Sequence, residues 1–262
     1  MTSHPVWNVD PILLHLGPLQ IHWYGLLFAG GILAGYWMMR YICRLEGKDP
    51  EILEPLFLYV VVGIVVGARL AHCFFYEPDY YLAHPLEILM VWKGGLASHG
   101  GLVGAFVGLW LGSRRHHVPF GWIVSRLTIP TLFVASMIRL GNLFNSEILG
   151  KPTDAFTAIV FARVDALPRH PVMLYESAAY FATFLLTIVI YCFAPRKRLT
   201  TLLPGVGLVC VFGARILLER FKVPQADYST GLPLNVGQLL SLPFLLLGLI
   251  LVVLSFRRRT PR

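Results

Sequence analysis

Long stretches without charge constrain this chain more than any motif does. Residues 21–39, 94–112, 177–194 and 232–256 contain no Asp, Glu, Lys or Arg. Each is about as long as the roughly 20 helical residues that cross a hydrocarbon core of about 30 Å. Three further stretches are apolar but carry arginine: residues 56–75 with Arg69, 121–142 with Arg126 and Arg139, and 202–219 with Arg215. Lipid offers the backbone no hydrogen-bond partners, so such stretches fold as helices. The expectation is an all-α polytopic membrane protein of about seven transmembrane helices, with one integral membrane domain over residues 1–262. Composition agrees, since 56% hydrophobic residues, 14% charged residues and a mean hydropathy of +0.66 lie outside the soluble range.

The formal charge of +8 does not point to nucleic acid, because the basic residues gather in short clusters between apolar runs rather than along one face. Every second connection is basic: Arg40, Arg44 and Lys48; Arg114 and Arg115; Arg196, Lys197 and Arg198; and the C-terminal "RRRTPR". The alternate connections, 76–93, 143–173 and 220–233, are longer, richer in Pro and Tyr and poorer in Lys and Arg. With an odd number of spans, the excess of positive charge on the cytoplasmic side puts the N-terminus in the outer compartment and the C-terminus in the cytoplasm. The N-terminal stretch has neither a basic leader region nor a small-residue cleavage site, so it is expected to remain in the mature protein. Cys43, Cys73, Cys192 and Cys210 stand singly, with no C-x-x-C and no metal-ligand spacing. They read as small, reduced packing residues, and neither metal nor cofactor is expected.

Four groups of polar residues interrupt the apolar runs. In "MIRLGNLFNSEILG", Arg139, Asn142 and Ser146 follow at intervals of three and four and share one helical face. An arginine at membrane depth costs about 2.5–3.5 kcal/mol unless it is partnered or snorkels. Arg139 therefore either pairs with Glu147 or offers its planar fork of donors to a phosphate, with Asn142 and Asn145 beside it. In "WKGGLASHGGLVGAFVG" the glycines permit close backbone approach, and His99 is either a packing residue or a general base, imidazole titrating near about 6.5. In "ARILLERFK", Arg215 and Glu219 stand four apart with Lys222 three further. This reads either as a helical ion pair or as the second side of a phosphate clamp. Arg69 is a third basic group or the structural partner of a glutamate. Glu176, in "RHPVMLYES", pairs with Arg69 or caps the helix that follows. Trp23 and Tyr24 fit an interfacial aromatic belt, and the Tyr24 hydroxyl is also available to a headgroup. On these groups alone an anion transporter and a non-catalytic lipid-binding protein stay open beside an enzyme. A transporter would need a polar path to the cytoplasmic face, and a binding protein would not need His99.

Taken in order and spacing, "GPLQIHWYGL", "GARL", "YYLAHPLEIL", "VWKGGLASHGGL", "RLGNLFNSEILGKP", "RHPVMLYES" and "ERFKVPQ" resemble the bacterial prolipoprotein diacylglyceryl transferases over residues 17–238. The resemblance implies a seven-helix enzyme of the bacterial inner membrane with its site toward the periplasm. Such an enzyme transfers the diacylglyceryl unit of phosphatidylglycerol to the thiol of a prolipoprotein lipobox cysteine, releasing glycerol phosphate. It also implies catalytic roles for His99, Arg139 and Arg215, and substrate contacts from Tyr24, Gly100, Asn142, Glu147, Gly150 and Glu219. Three positions depart from the family pattern: Ile138 where glycine is frequent, Met173 where glutamine is usual, and Val211 where many members have tyrosine.

Overall fold

The computed structural model describes residues 4–223 and 236–257. Residues 232–235 of the seventh expected span, most of the connection before it and the basic run at 258–262 lie outside the described residues. In chain order the elements are β1 (Val6–Trp7), β2 (Ile12–Leu16), β3 (Leu19–His22), α1 (Trp23–Leu45), α2 (Leu53–Ala71), α3 (Pro78–Ala83), α4 (Ser98–Arg115), α5 (Phe120–Asn145), β4 (Ile159–Phe161), β5 (Pro168–Arg169), α6 (Val172–Phe193), α7 (Arg196–Leu218) and α8 (Val236–Arg257). The seven helices other than α3 match the seven expected spans. Among the described residues six helical segments are long and apolar enough to cross a membrane. α4, rich in glycine and ending on Arg114 and Arg115, is the long helix outside that set.

The helices run past the expected bounds wherever polar residues fit a helix end. α6 begins at Val172 rather than at residue 177, which places Glu176 inside it. α7 starts at Arg196, so the "RKR" cluster forms its first turn. The short strands were not expected from an all-α reading. Apart from Ile21 and His22 they are built from residues outside the long apolar runs, and β2 and β3 pair as a hairpin around Gly17 at φ +61°.

The chain divides into two compact units, one of residues 39–123 and one of residues 1–38 with 124–262. In the unit of residues 39–123, α2 and α4 pack backbone to backbone. A Cβ on Gly63 would lie 2.2 Å from the Gly104 carbonyl oxygen, and one on Gly104 would lie 2.0 Å from the Gly63 oxygen. Gly67 and Gly100 repeat the contact one turn away. This is the small-residue packing by which membrane helices gain van der Waals contact where no hydrophobic force drives them together. The expected role of the "HGGLVGAFVG" glycines in close approach is thus met by a neighbouring helix.

In the other unit, Gly31 and Gly35 of α1 seat against Val134, Met137 and Pro130 of α5, and Gly205 of α7 against Gly248 and Val252 of α8. Outside the long helices, β4 joins β1 in parallel and β5 antiparallel. Phe161 of β4, Leu143 and Met173 form an apolar cluster over which Trp7 packs. Phe144 stacks on Trp23 at 4.9 Å and meets Trp7 edge-on at 5.6 Å. Met173 is 0% exposed, so the position that departs from glutamine is a packing position in this chain. All four cysteines are free, with Cys43 and Cys73 buried.

Substituting Gly104 with Leu forces a side chain into the Gly63 backbone. The expected result is a fall of several degrees in the thermal midpoint in detergent, since overpacking costs about 1–3 kcal/mol. Gly30→Ala, which meets open space, is expected to leave the midpoint unchanged when both are followed by differential scanning fluorimetry.

Candidate active site

The polar groups of the unit formed by residues 1–38 and 124–262 centre on one carboxylate. Glu176 of α6 is 0% exposed and carries two cations: Arg139 Nε at 2.9 Å on Oε2, and Lys222 Nζ at 2.8 Å on Oε1. Removing a carboxylate from water costs several kcal/mol even after relaxation, and two short charge-assisted contacts offset that cost. The glutamate beside Arg139 is therefore Glu176, not Glu147. Glu176 is not the partner of Arg69 either. Lys222 also lies 3.5 Å from Glu219 Oε2.

A chain of amide contacts leads outward from Arg139. Its Nη1 donates to Asn142 Oδ1 at 3.3 Å, and Asn142 Nδ2 donates to Glu147 Oε2 at 2.9 Å. Asn145 Nδ2 donates to Glu147 Oε1 at 3.2 Å. The amide accepts from the guanidinium through its oxygen and donates to the carboxylate through its nitrogen. Asn142 is buried, whereas Glu147 is exposed.

The end of α5 gives this chain its shape. Glu147 N–H returns to the Asn142 carbonyl at 2.9 Å and Ser146 N–H to the Leu143 carbonyl at 3.0 Å, the bond pair of a Schellman closure. That closure requires a left-handed residue at position 146, and Ser146 takes it at φ +54° where glycine is usual. Ser146 thus leaves the helical face it was expected to share with Arg139 and Asn142. Ile148 follows at φ +56°, a rare conformation for a β-branched side chain.

Gly150 continues the loop into a lattice of backbone bonds. It bridges Lys222 in antiparallel fashion and donates to the His170 carbonyl at 2.9 Å, while Lys151 donates to the Phe221 carbonyl at 2.8 Å. A Cβ at Gly150 would lie 2.6 Å from the His170 side chain. Arg169 donates to the Gly150 carbonyl at 3.3 Å and grips Asp165, whose carboxyl it holds below the ordinary carboxylate range. These contacts fix the Lys222 backbone and make Gly150 a packing requirement.

Arg215 ends α7. The helical ion pair with Glu219 does not form, because the helix tightens into a 3₁₀ turn over Glu219–Phe221 and Glu219 turns to Lys222. Its carboxylate also lies against the first turn of α8, where a Cβ on Gly237 would be 2.7 Å from Oε1. Among the described residues the Arg215 guanidinium has no ion pair or hydrogen bond, and its charge and that of Arg139 both reach the buried Tyr180 hydroxyl of α6. The Tyr24 ring packs on α5 at Gly141, where a Cβ would lie 2.7 Å from it.

His99 and Gly100 belong to the unit of residues 39–123. His99 stands in the first turn of α4 and lines a groove of about 920 Å³ whose other walls include Val62, Val66, Leu70, Val103 and Val107. Gly100 is the point at which α4 meets α2, where a Cβ would sit 2.2 Å from that of Ala71. Arg69 sets the entry into α4. It is 3% exposed and donates to the carbonyls of Glu87, Ile88, Gly94 and Gly95, with Tyr81 4.9 Å below its guanidinium. Its partners are thus main-chain carbonyls and not a glutamate side chain. Ala97 N–H then bonds to the Ala68 carbonyl at 2.9 Å, two residues before His99.

Sequence reasoning did not place Glu176 or Lys222 in the site. A signal for Glu176 was present: it is an acid at the edge of a charge-free run, and membrane-embedded acids take partners. Starting the span at residue 177 hid it.

The comparisons with known proteins agree with one another. The family model described as prolipoprotein diacylglyceryl transferase matches residues 11–254. The chain is similar to the phosphatidylglycerol–prolipoprotein diacylglyceryl transferase of Tolumonas auensis, 51% identical over 97% of this chain and 98% of that protein. It is also similar to the enzymes of the same name from Chloroherpeton thalassium, 48% identical over 98% and 96% of the two chains, and Bacteroides fragilis, 41% identical over 93% and 92%.

Proposed function

The chain belongs to the prolipoprotein diacylglyceryl transferase family, and from that premise we propose how its residues move the diacylglyceryl unit of phosphatidylglycerol to a prolipoprotein. The acceptor is the thiol of the lipobox cysteine. The bond formed is a thioether to the glycerol carbon that bore the phosphate ester. The bond broken is the C–O bond to that phosphate, whose electron pair leaves with glycerol phosphate. A thiol of reference pKa about 8.5 is mostly protonated at neutral pH, and the thiolate is the nucleophile.

The observation that carries this reading is the buried Glu176 carboxylate holding Arg139 while Arg215, on a separate helix, stays unpaired among the described residues. Negative charge grows on the departing phosphate oxygen, and preorganised cationic donors in a water-poor site stabilise it most. Arg139 and Arg215 grip the phosphate, Asn142 orients it, and Tyr24, Gly100, Glu147, Gly150 and Glu219 shape the surroundings. His99 takes the thiol proton. The groove that His99 lines is walled by valine, leucine and glycine, which suits an acyl chain of the lipid. The alternation of basic and non-basic connections supports a single multi-pass domain in the bacterial inner membrane, N-terminus periplasmic, C-terminus cytoplasmic and site toward the periplasm.

The purified protein, given phosphatidylglycerol and a lipobox peptide, is expected to raise the peptide mass by one diacylglyceryl unit; an unmodified peptide refutes the reading. Arg139→Gln is expected to lower the rate by about 100-fold or more, as loss of a charge-stabilising donor does elsewhere, and substantial residual activity removes Arg139 from the phosphate role. His99→Gln is expected to slow transfer and to change the shape of the pH–rate profile, because it removes the group that takes the thiol proton. A pH–rate profile of unchanged shape rules out His99 as the base.

A further inference from the structure

The Glu176 carboxylate meets Arg139 at Oε2, 2.9 Å from Nε. A carboxylate facing the side of a guanidinium ordinarily takes two parallel bonds, here from Nε and Nη2, because the fork geometry favours both. The second oxygen, Oε1, is instead held by Lys222 Nζ at 2.8 Å. Lys222 is only 11% exposed at its side chain. Its backbone is pinned from outside by the bridge to Gly150, and its ammonium is shared with Glu219. Arg139 Nη1 makes only a long contact to Asn142 Oδ1, at 3.3 Å, and the guanidinium also lies beside the Tyr180 hydroxyl.

We infer that Lys222 is a positioning residue whose task is to occupy Glu176 Oε1, so that the carboxylate anchors Arg139 by Nε alone and the outer fork of the guanidinium stays open for the lipid phosphate. Without Lys222, the buried Oε1 loses the cation beside it. Rotation of the carboxylate onto Nε and Nη2 of Arg139 is then its nearest source of donors, and the phosphate-facing nitrogen is consumed. The charge balance moves the same way. Arg139, Arg215 and Lys222 face Glu176, Glu219 and Glu147 in this unit, and losing the lysine leaves an excess of negative charge where an anion must bind. The inference rests on the reading of Arg139 as a phosphate ligand.

The test is a double-mutant cycle on the full-length protein in mixed micelles, reading KM for phosphatidylglycerol and kcat with a lipobox peptide, alongside the thermal midpoint. Lys222→Met is expected to lower kcat/KM by roughly 10- to 100-fold, the range seen when one member of a shared ion-pair network is removed, with a rise in KM. Lys222→Arg, which can still cap Oε1, is expected to stay close to the parent. In a Glu176→Gln background the same Lys222→Met change is expected to cost about threefold or less, because a neutral amide does not compete for the fork. A purely structural role for Lys222, tying the Gly150 loop to the end of α7, predicts the same loss in both backgrounds. Equal losses overturn the inference, as does a Lys222→Met enzyme with parental KM and kcat. Should Lys222→Met fail to fold, Glu176→Gln against Glu176→Gln/Lys222→Met still decides: a large drop there overturns it. Should Arg139→Gln itself stay active, the phosphate reading fails first; if it is inactive while the cycle shows no coupling, only the role of Lys222 falls.

Discussion

A carboxylate with no exposure to water, held between a guanidinium and an ammonium, organises the unit formed by residues 1–38 and 124–262. A buried carboxylate needs counter-charge, and the two cations beside Glu176 come from different parts of the chain: Arg139 from α5 and Lys222 from the turn after α7. The pairing therefore ties three helix ends together. The cost of burying the acid is large, so the pairing is weak evidence for stability; what it sets is which segments meet. The amide chain through Asn142 to Glu147 extends that arrangement toward the surface, and the left-handed turn at Ser146 makes the extension possible.

A second arginine does a different job with the same chemistry. Arg69 spends its donors on four main-chain carbonyls of the segment that precedes α4, leaving little of its fork for a ligand. Glycine contacts bring α2 and α4 to within backbone distance, and Arg69 holds the incoming chain where that approach begins. His99 inherits its position from both. Embedded arginine is thus ambiguous as a functional signal: its partners decide whether it binds a ligand or fastens a loop. Arg69 is saturated by carbonyls, Arg139 is held at Nε by a carboxylate and at Nη1 by an amide, and Arg215 has no ion pair or hydrogen bond among the described residues.

The helical spans were legible in the sequence because a bilayer tolerates little else. Charge-free runs of the required length at 21–39, 177–194 and 232–256 leave no alternative to helix, and the arginine-bearing runs follow by continuity. Where the expectations erred, the error lay at the ends. Helix bounds depend on what caps them, and the start of α6 at Val172 rather than at residue 177 turned Glu176 from a loop residue into the buried centre of a network. The strands escaped notice because two- to five-residue pairs carry almost no periodic signal, and they pair across the length of the chain, as β1 does with β4. Spacing grouped Arg139 with Asn142 correctly, since i, i+3 neighbours on a helix face one another, but it also put Ser146 on that face, from which the left-handed turn removes it.

By itself, the sequence determined that the chain is a bundle of membrane-crossing helices, which residues carry charge into it, and which family's motifs it bears, because these follow from local composition and order. The tertiary structure decided who partners whom. Glu176 rather than Glu147 beside Arg139, Lys222 rather than Arg215 beside Glu219, and carbonyls rather than a carboxylate around Arg69 are outcomes of how distant segments pack. The physical reason is that burial makes each buried charge take the counter-charge or dipole that reaches it in three dimensions, and spacing along one helix fixes only the nearest of the candidates.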